Sequence, residues 1–185
     1  MIKDLLKDAE HRMHGAIKNL SDDLAAIRTG RANPALVERL NINYYDAPTP
    51  LMQLASISVP EPRSLMIKPF DGGTLKEIEK AIQASDLGLT PNSDGKVIHL
   101  NLPPLTEDRR RDLAKQVHAR LEETRVAIRN IRRDSHNDMR DFEKEKLISE
   151  DDLKSGEEEL QKLTDKFIDE VSELGRKKEA EIMEV

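Results

Sequence analysis

The chain of 185 residues has no cysteine and no tryptophan, and aromatic side chains make up only 3% of it. Without cysteine there is no disulfide, no thiolate zinc site and no cysteine nucleophile, and a reducing compartment is the natural setting. No apolar run is long enough to span a bilayer, and the N-terminal stretch Met1-Ile2-Lys3-Asp4-Leu5-Leu6-Lys7-Asp8 lacks the apolar core of a signal peptide. These absences predict a soluble, cytoplasmic protein with no membrane partner. Proline is missing from most of the chain: all nine prolines lie between Pro34 and Pro104.

Charge is what the chain has in abundance, at 36% of residues with a net charge of −6. The charges are interleaved with apolar residues at regular spacing, the pattern of long solvated helices rather than of disorder. Their distribution matters more than their sum. Residues 150 to 185 hold 6 Lys or Arg against 13 Asp or Glu, whereas residues 125 to 133 hold four arginines and no acid. A polyanion responds to the field within about 8 Å at physiological salt, so a local basic patch can outweigh a distant acidic helix.

Three segments outside the proline-rich stretch read as helices. In the first, Ile2, Leu6, Ala9, Met13, Ala16, Leu20 and Ile27 share a face, with Gly30 as the expected C-terminal cap. The second is predicted to start at the N-cap Thr106 and to bury Val117, Leu121, Ile128, Ile131, Met139 and Phe142. The third starts at a capping box of Ser149 and Asp152 and repeats Leu153, Leu160, Phe167 and Leu174 by sevens, with Leu163 and Val171 between. Each stripe needs the others for burial, which predicts an elongated three-helix bundle.

The stretch between is different. Residues 31 to 105 carry only 15 charged residues, and Leu40, Ile42 and Tyr44 alternate with polar neighbours. Runs at Leu54 to Val59, Leu65 to Ile67 and Val97 to Leu102 read as further strands. A helix between them has Thr74 and Glu77 as its capping box and Gly88 just past its end, and Asp94-Gly95 marks a turn. The fold class is therefore α+β: a bundle of residues 1–30 and 105–185, with a small β/α domain of residues 31–104 inserted between the first and second helices. Two short crossings join them, and flanking residues could absorb a swing of one domain against the other.

At about 100° per residue, Arg125, Arg129, Arg132, Arg133, His136 and Arg140 fall in a sector of the second helix roughly 100° wide. The apolar stripe centres about 110° away, so both faces can be used at once. Guanidinium forks match phosphate oxygens and stay charged at any relevant pH, which points to an RNA or DNA backbone. A merely solvated basic face is the alternative. Arg28 and Arg31 bracket Gly30, and that end of the first helix is expected to approach Arg109, Arg110 and Arg111. Base stacking is not expected, because Tyr44, Tyr45 and Phe70 read as strand or core residues.

Arg28-Thr29-Gly30-Arg31-Ala32-Asn33-Pro34 resembles the RTGRA-x-P stretch of ribosome recycling factors. Ile78 to Ile82 with Ser85 to Leu89 resembles their IEKAI and SDLGL stretch, and Pro103 to Arg110, Val126 to Arg133 and Gln161 to Asp165 match in order and spacing. The resemblance covers essentially the whole chain. It implies a monomer with a tRNA-like L shape that binds the large ribosomal subunit and its RNA, and acts with elongation factor G to split the post-termination complex. By the same resemblance Arg28, Arg31, Arg110, Arg129, Arg132 and Arg133 are the expected RNA contacts, and Gly30, Arg31, Pro103, Pro104 and Leu105 the hinge. Asp46 stands where the family usually has glycine, and Ser135-His136 replaces a commonly alanine-containing stretch.

No catalytic or cofactor site is expected. Gly72-Gly73 lacks the lysine of a phosphate-binding loop, no serine sits in a nucleophile elbow, and His11 and His14 have no further histidine near them to complete a metal site. The competing function class is a helical scaffold or adaptor that binds protein and not RNA.

Overall fold

A computed structural model describes residues 1–184. Three long helices, α1 (Ile2–Ala25), α5 (Glu107–Lys144) and α6 (Glu150–Met183), are joined by a segment of short elements. In chain order these are α2 (Ala35–Glu38), β1 (Asn41–Tyr44), β2 (Ala47–Pro50), α3 (Leu51–Leu54), β3 (Ala55–Glu61), β4 (Ser64–Pro69), a 3-10 turn at Gly72–Thr74, α4 (Leu75–Ala84), β5 (Pro91–Ser93) and β6 (Ile98–Asn101). The α+β class is as expected. The chain forms two compact units: Met1–Leu24 with Lys115–Glu179, and Ala25–Ala114 with the residues from Ala180 onward.

The first unit is a bundle built on three apolar stripes. Ala9, Met13, Ile17, Leu20 and Leu24 are buried on α1, and Val117, Leu121, Ile128, Ile131 and Met139 on α5. On α6 the buried row runs Leu160, Thr164, Phe167 and Val171, so the predicted heptad leucines 153 and 174 sit at its flanks, half-buried. Steps of three and four hold a row on one side of a straight helix better than strict sevens do. Thr164 is tolerated in the row because its hydroxyl donates to the Leu160 carbonyl at 2.8 Å. A Cβ at Gly175 would lie 2.4 Å from a Leu121 methyl, so glycine there lets α5 and α6 approach closely.

The helix ends are chemically specified. Thr106 Oγ1 accepts from the Arg109 amide at 3.2 Å. Ser149 and Asp152 form the reciprocal box expected of them: the Ser149 amide donates to Asp152 Oδ2 at 3.1 Å, and the Asp152 amide to Ser149 Oγ at 3.0 Å. α1 stops at Ala25, five residues before Gly30, which is not in the left-handed region. Gly30 is thus no helix cap, and Ile27 lies beyond the helix. At the end of α5 the left-handed position belongs to Lys146 (φ 60°), where the Leu147 amide donates to the Phe142 carbonyl and the Lys146 amide to Glu143, both at 2.9 Å. Glycine usually occupies that place.

The second unit holds two sheets. β1 and β2 form a hairpin, and a four-stranded antiparallel sheet runs in the order β3-β4-β6-β5. Ile42, Leu65, Ile67, Ile78, Ile82, Ile98 and Leu100 are fully buried in its core, with α4 supplying Ile78 and Ile82. β2 and β5 escaped the sequence reading because they contain Pro48, Pro50 and Pro91, which break the β-branched signal and are tolerated only on strands with a free side. The capping of α4 also differs from expectation. Thr74 is itself helical and caps nothing; Asp71 Oδ1 accepts from the Gly73 amide at 3.0 Å, and the Thr74 hydroxyl donates back to the Asp71 carbonyl. Gly88 (φ 65°) and Gly95 (φ 91°) take left-handed conformations; Gly95 lies at the expected turn, but α4 ends at Ala84 with Ser85 as its C-cap, so Gly88 is not the cap of that helix. Tyr45 and Asp46, with φ of 48° and 61°, form a two-residue turn of the mirror-image type between β1 and β2, so Asp46 occupies a position that favours glycine.

Two substitutions test the helix ends in the bundle. Lys146→Gly is expected to raise the unfolding free energy by about 0.5–1 kcal/mol in urea denaturation, and Ser149→Ala to lower it by about 1 kcal/mol. The Asp152 carboxyl is held below the usual aspartate range by hydrogen bonds from the Ser149 hydroxyl and backbone. Its folded-state value is depressed, so its contribution is complete above the ordinary value near 4 and fades as pH falls through the lower, folded one. The ionic part of the Ser149→Ala penalty should fade over that same acid window.

Candidate nucleic-acid interface

On α5, Arg129, Asn130, Arg132 and Arg133 are exposed and line an open depression of about 360 Å³ together with half-buried His136. Ile128, Ile131, Ser135 and Met139, interleaved with them, are buried. The helical phasing that buries one set forces the other outward.

What makes the face available is the fate of the acids around it. Asp134, next to Arg133 in sequence, is paired with Arg12 of α1 at 3.2 Å. Glu157 on α6 lies 2.8 Å from His136, and Asp165 accepts from Gln161 at 2.8 Å. Among the described residues, Arg129 and Arg133 have no acidic partner. Arg132 donates to the neutral amide oxygen of Gln161 at 3.2 Å and so keeps its charge. Arg125 is different: its side chain is 20% exposed and bonds both Glu122 at 2.5 Å and Ser172 at 3.2 Å. It belongs to the seam between α5 and α6, not to the open face.

The remaining sequence-predicted arginines lie in the second unit. Arg28 is 8% exposed and donates from Nη2 to the Pro103 carbonyl at 2.5 Å. Burial, with the charge of Arg109 nearby, pulls its guanidinium below the usual range. That bond ties the stretch after α1 to the stretch before α5, and Arg28 does meet the arginines that open α5, as the sequence suggested. Arg110 is half-buried, and the Nε atoms of Arg28 and Arg110 are both buried without a hydrogen-bond partner among the described residues. Arg31 is exposed and pairs with Glu184 at 3.1 Å, an exposed contact of the kind worth less than about 1 kcal/mol and open to exchange. Gly30 and Arg31 line, with Pro62, Arg63, Glu181 and Glu184, a cavity of about 260 Å³. Leu105 is buried, and Pro103 and Pro104 are exposed.

The aromatic residues depart from expectation. Tyr44 packs against the core of the second unit, but Tyr45 is 81% and Phe70 72% exposed. Tyr45 is thrown outward by the hairpin turn, and Phe70 lies just past the end of β4, where alternation no longer governs which way a side chain points. Gln161 and Asp165 appeared in the sequence only as part of a matching motif. Their role needs the register of α6 against α5, which no single helix displays.

The model of the ribosome recycling factor family matches residues 20–183. The chain belongs to that family. Ribosome recycling factors of Roseiflexus sp. (strain RS-1) and Halalkalibacterium halodurans are 55% and 54% identical to it over 185 residues, covering 100% of each chain. A solution structure of a ribosome recycling factor superposes over 100% of this chain and 98% of its own, with a TM-score of 0.76 at 44% identity. A model of the T. thermophilus ribosome recycling factor, bound with E. coli elongation factor G to the E. coli post-termination complex, covers 100% of both chains with a TM-score of 0.68 at 46% identity. Among the described residues, no helix is long and apolar enough to cross a membrane.

The two kinds of arginine should separate experimentally. Arg28→Ala removes a buried stem and a hydrogen bond and is expected to cost about 1–3 kcal/mol of stability, whereas Arg133→Ala should change it by less than about 0.5 kcal/mol. Thermal unfolding of the two variants checks this.

Proposed function

We propose that this chain binds the large ribosomal subunit of post-termination complexes and, with elongation factor G and GTP, promotes splitting of the subunits and release from mRNA. Family membership supports the ribosomal role. The observation that carries the RNA-binding part is the exposed α5 face, where Arg129 and Arg133 have no acidic partner among the described residues and Arg132 is held by a neutral amide. Phosphate oxygens are the complement of such a face, and shape and backbone contact rather than base reading is the recognition mode it favours.

In this reading the chain works in the cytoplasm as a monomer and is not itself an enzyme. Nucleotide energy reaches it through the elongation factor. Arg129, Arg132 and Arg133 anchor it, with Arg31 and Arg110 as further contacts and Arg28 contributing through the Pro103 carbonyl it holds. Residues 31–104 act as a body inserted into residues 1–30 and 105–185, with Gly30, Arg31 and Pro103 to Leu105 as the hinge segments. The bond between Arg28 and Pro103 supports the idea that these two crossings act together.

Arg129→Ala and Arg133→Ala are each expected to weaken binding to purified large subunits roughly tenfold, and to make the salt dependence shallower by about 0.7–0.9 in log–log slope. An adaptor without RNA binding would be indifferent to both. A cross-link that fixes the inserted body should reduce subunit splitting in the presence of elongation factor G and GTP; undiminished splitting would remove the hinge from the account.

A further inference from the structure

We propose that Gln161 is a positioning residue for RNA binding, which holds the Arg132 guanidinium through a neutral amide that is itself oriented by the Asp165 carboxylate. The inference deepens the reading above and rests on it.

Arg132 Nη1 donates to Gln161 Oε1 at 3.2 Å, and Gln161 Nε2 donates to Asp165 Oδ1 at 2.8 Å. Guanidinium is only a donor and carboxylate only an acceptor, so a single orientation of the amide satisfies both neighbours. The side chain therefore bridges a cation on α5 and an anion one helical turn further along α6.

The residue type at 161 decides what Arg132 can do. A small side chain would leave the long arginine free, so binding would have to order it. A carboxylate would order it but also neutralise it, as Glu122 does to Arg125 on the same helix. An amide orders the guanidinium and leaves its full charge for a phosphate. Glu157, one turn earlier on α6, already shows the carboxylate alternative, since it engages His136 at the edge of the depression. The row of Glu157, Gln161 and Asp165 thus places its one neutral member opposite Arg132.

The test is binding of the full chain to purified large ribosomal subunits over a salt series. Gln161→Leu keeps the size and removes the hydrogen bonds; it is expected to bind about threefold more weakly with the salt slope unchanged, since no charge is lost. Gln161→Glu should bind about tenfold more weakly, with the slope shallower by about 0.7–0.9, because Arg132 is then paired before RNA arrives. On an Arg132→Ala background, Gln161→Leu should have no further effect. A merely structural role would lower affinity on both backgrounds and leave the slope of Gln161→Glu alone. Wild-type affinity and slope for both Gln161 variants, alongside weak binding by Arg132→Ala, would overturn the inference while the RNA-binding reading stands. Wild-type binding by Arg132→Ala itself would overturn both.

Discussion

Helix α5 has to satisfy two incompatible solvents along one stretch of backbone. Ile128, Ile131, Ser135 and Met139 are buried in the bundle, while Arg129, Arg132 and Arg133, one or two residues away, face water. The 3.6-residue turn makes this possible, because residues three and four apart stack on one side while immediate neighbours diverge by about 100°. Anything that rotated α5 would bury charge and expose the core together. Burial of the apolar side chains is worth about 1.5–3 kcal/mol each, so packing of the bundle is what holds the arginines in place. Bundle packing and the exposed arginine face draw on opposite sides of the same helix.

The second constraint is electrostatic. A chain with a net charge of −6 can present a cationic surface only if its acids are kept elsewhere. Asp134 is held by Arg12, Glu157 lies against His136, and Asp165 is held by Gln161. Each of these contacts is weak by itself at an exposed or half-buried position. Their effect is one of geometry: these carboxylates are engaged by Arg12, His136 and Gln161, and among the described residues Arg129 and Arg133 are left without an acidic partner. Arg125 and Arg28 show what happens otherwise, since the first is paired with an acid and the second is buried against a carbonyl.

Much of this was readable from residues alone. The helical phasing of Arg129, Arg132 and Arg133, the Ser149–Asp152 box and the Asp94-Gly95 turn all depend on local spacing, and all are present. What local spacing could not reveal falls into two kinds. Terminations went astray where a different residue does the capping: α1 ends at Ala25 although Gly30 offers the better signal, and Asp71 replaces Thr74 ahead of α4. Pairings across elements were invisible, because Gln161 meets Arg132, and Asp134 meets Arg12, only once the helices are in register. The buried state of Arg28 belongs to the same class. Its motif gives no sign of that burial, and only tertiary contact sets its guanidinium against the Pro103 carbonyl.

The central claim is that the open face of α5 meets phosphate. A structure of this chain on the large ribosomal subunit of a post-termination complex tests it most directly. The account predicts guanidinium nitrogens of Arg129, Arg132 and Arg133 within hydrogen-bond distance, about 2.7–3.2 Å, of ribosomal RNA phosphate oxygens, with Gln161 still bonded to Arg132. A bound chain whose α5 arginines face solvent or protein, with RNA contacts made by another surface, would contradict it.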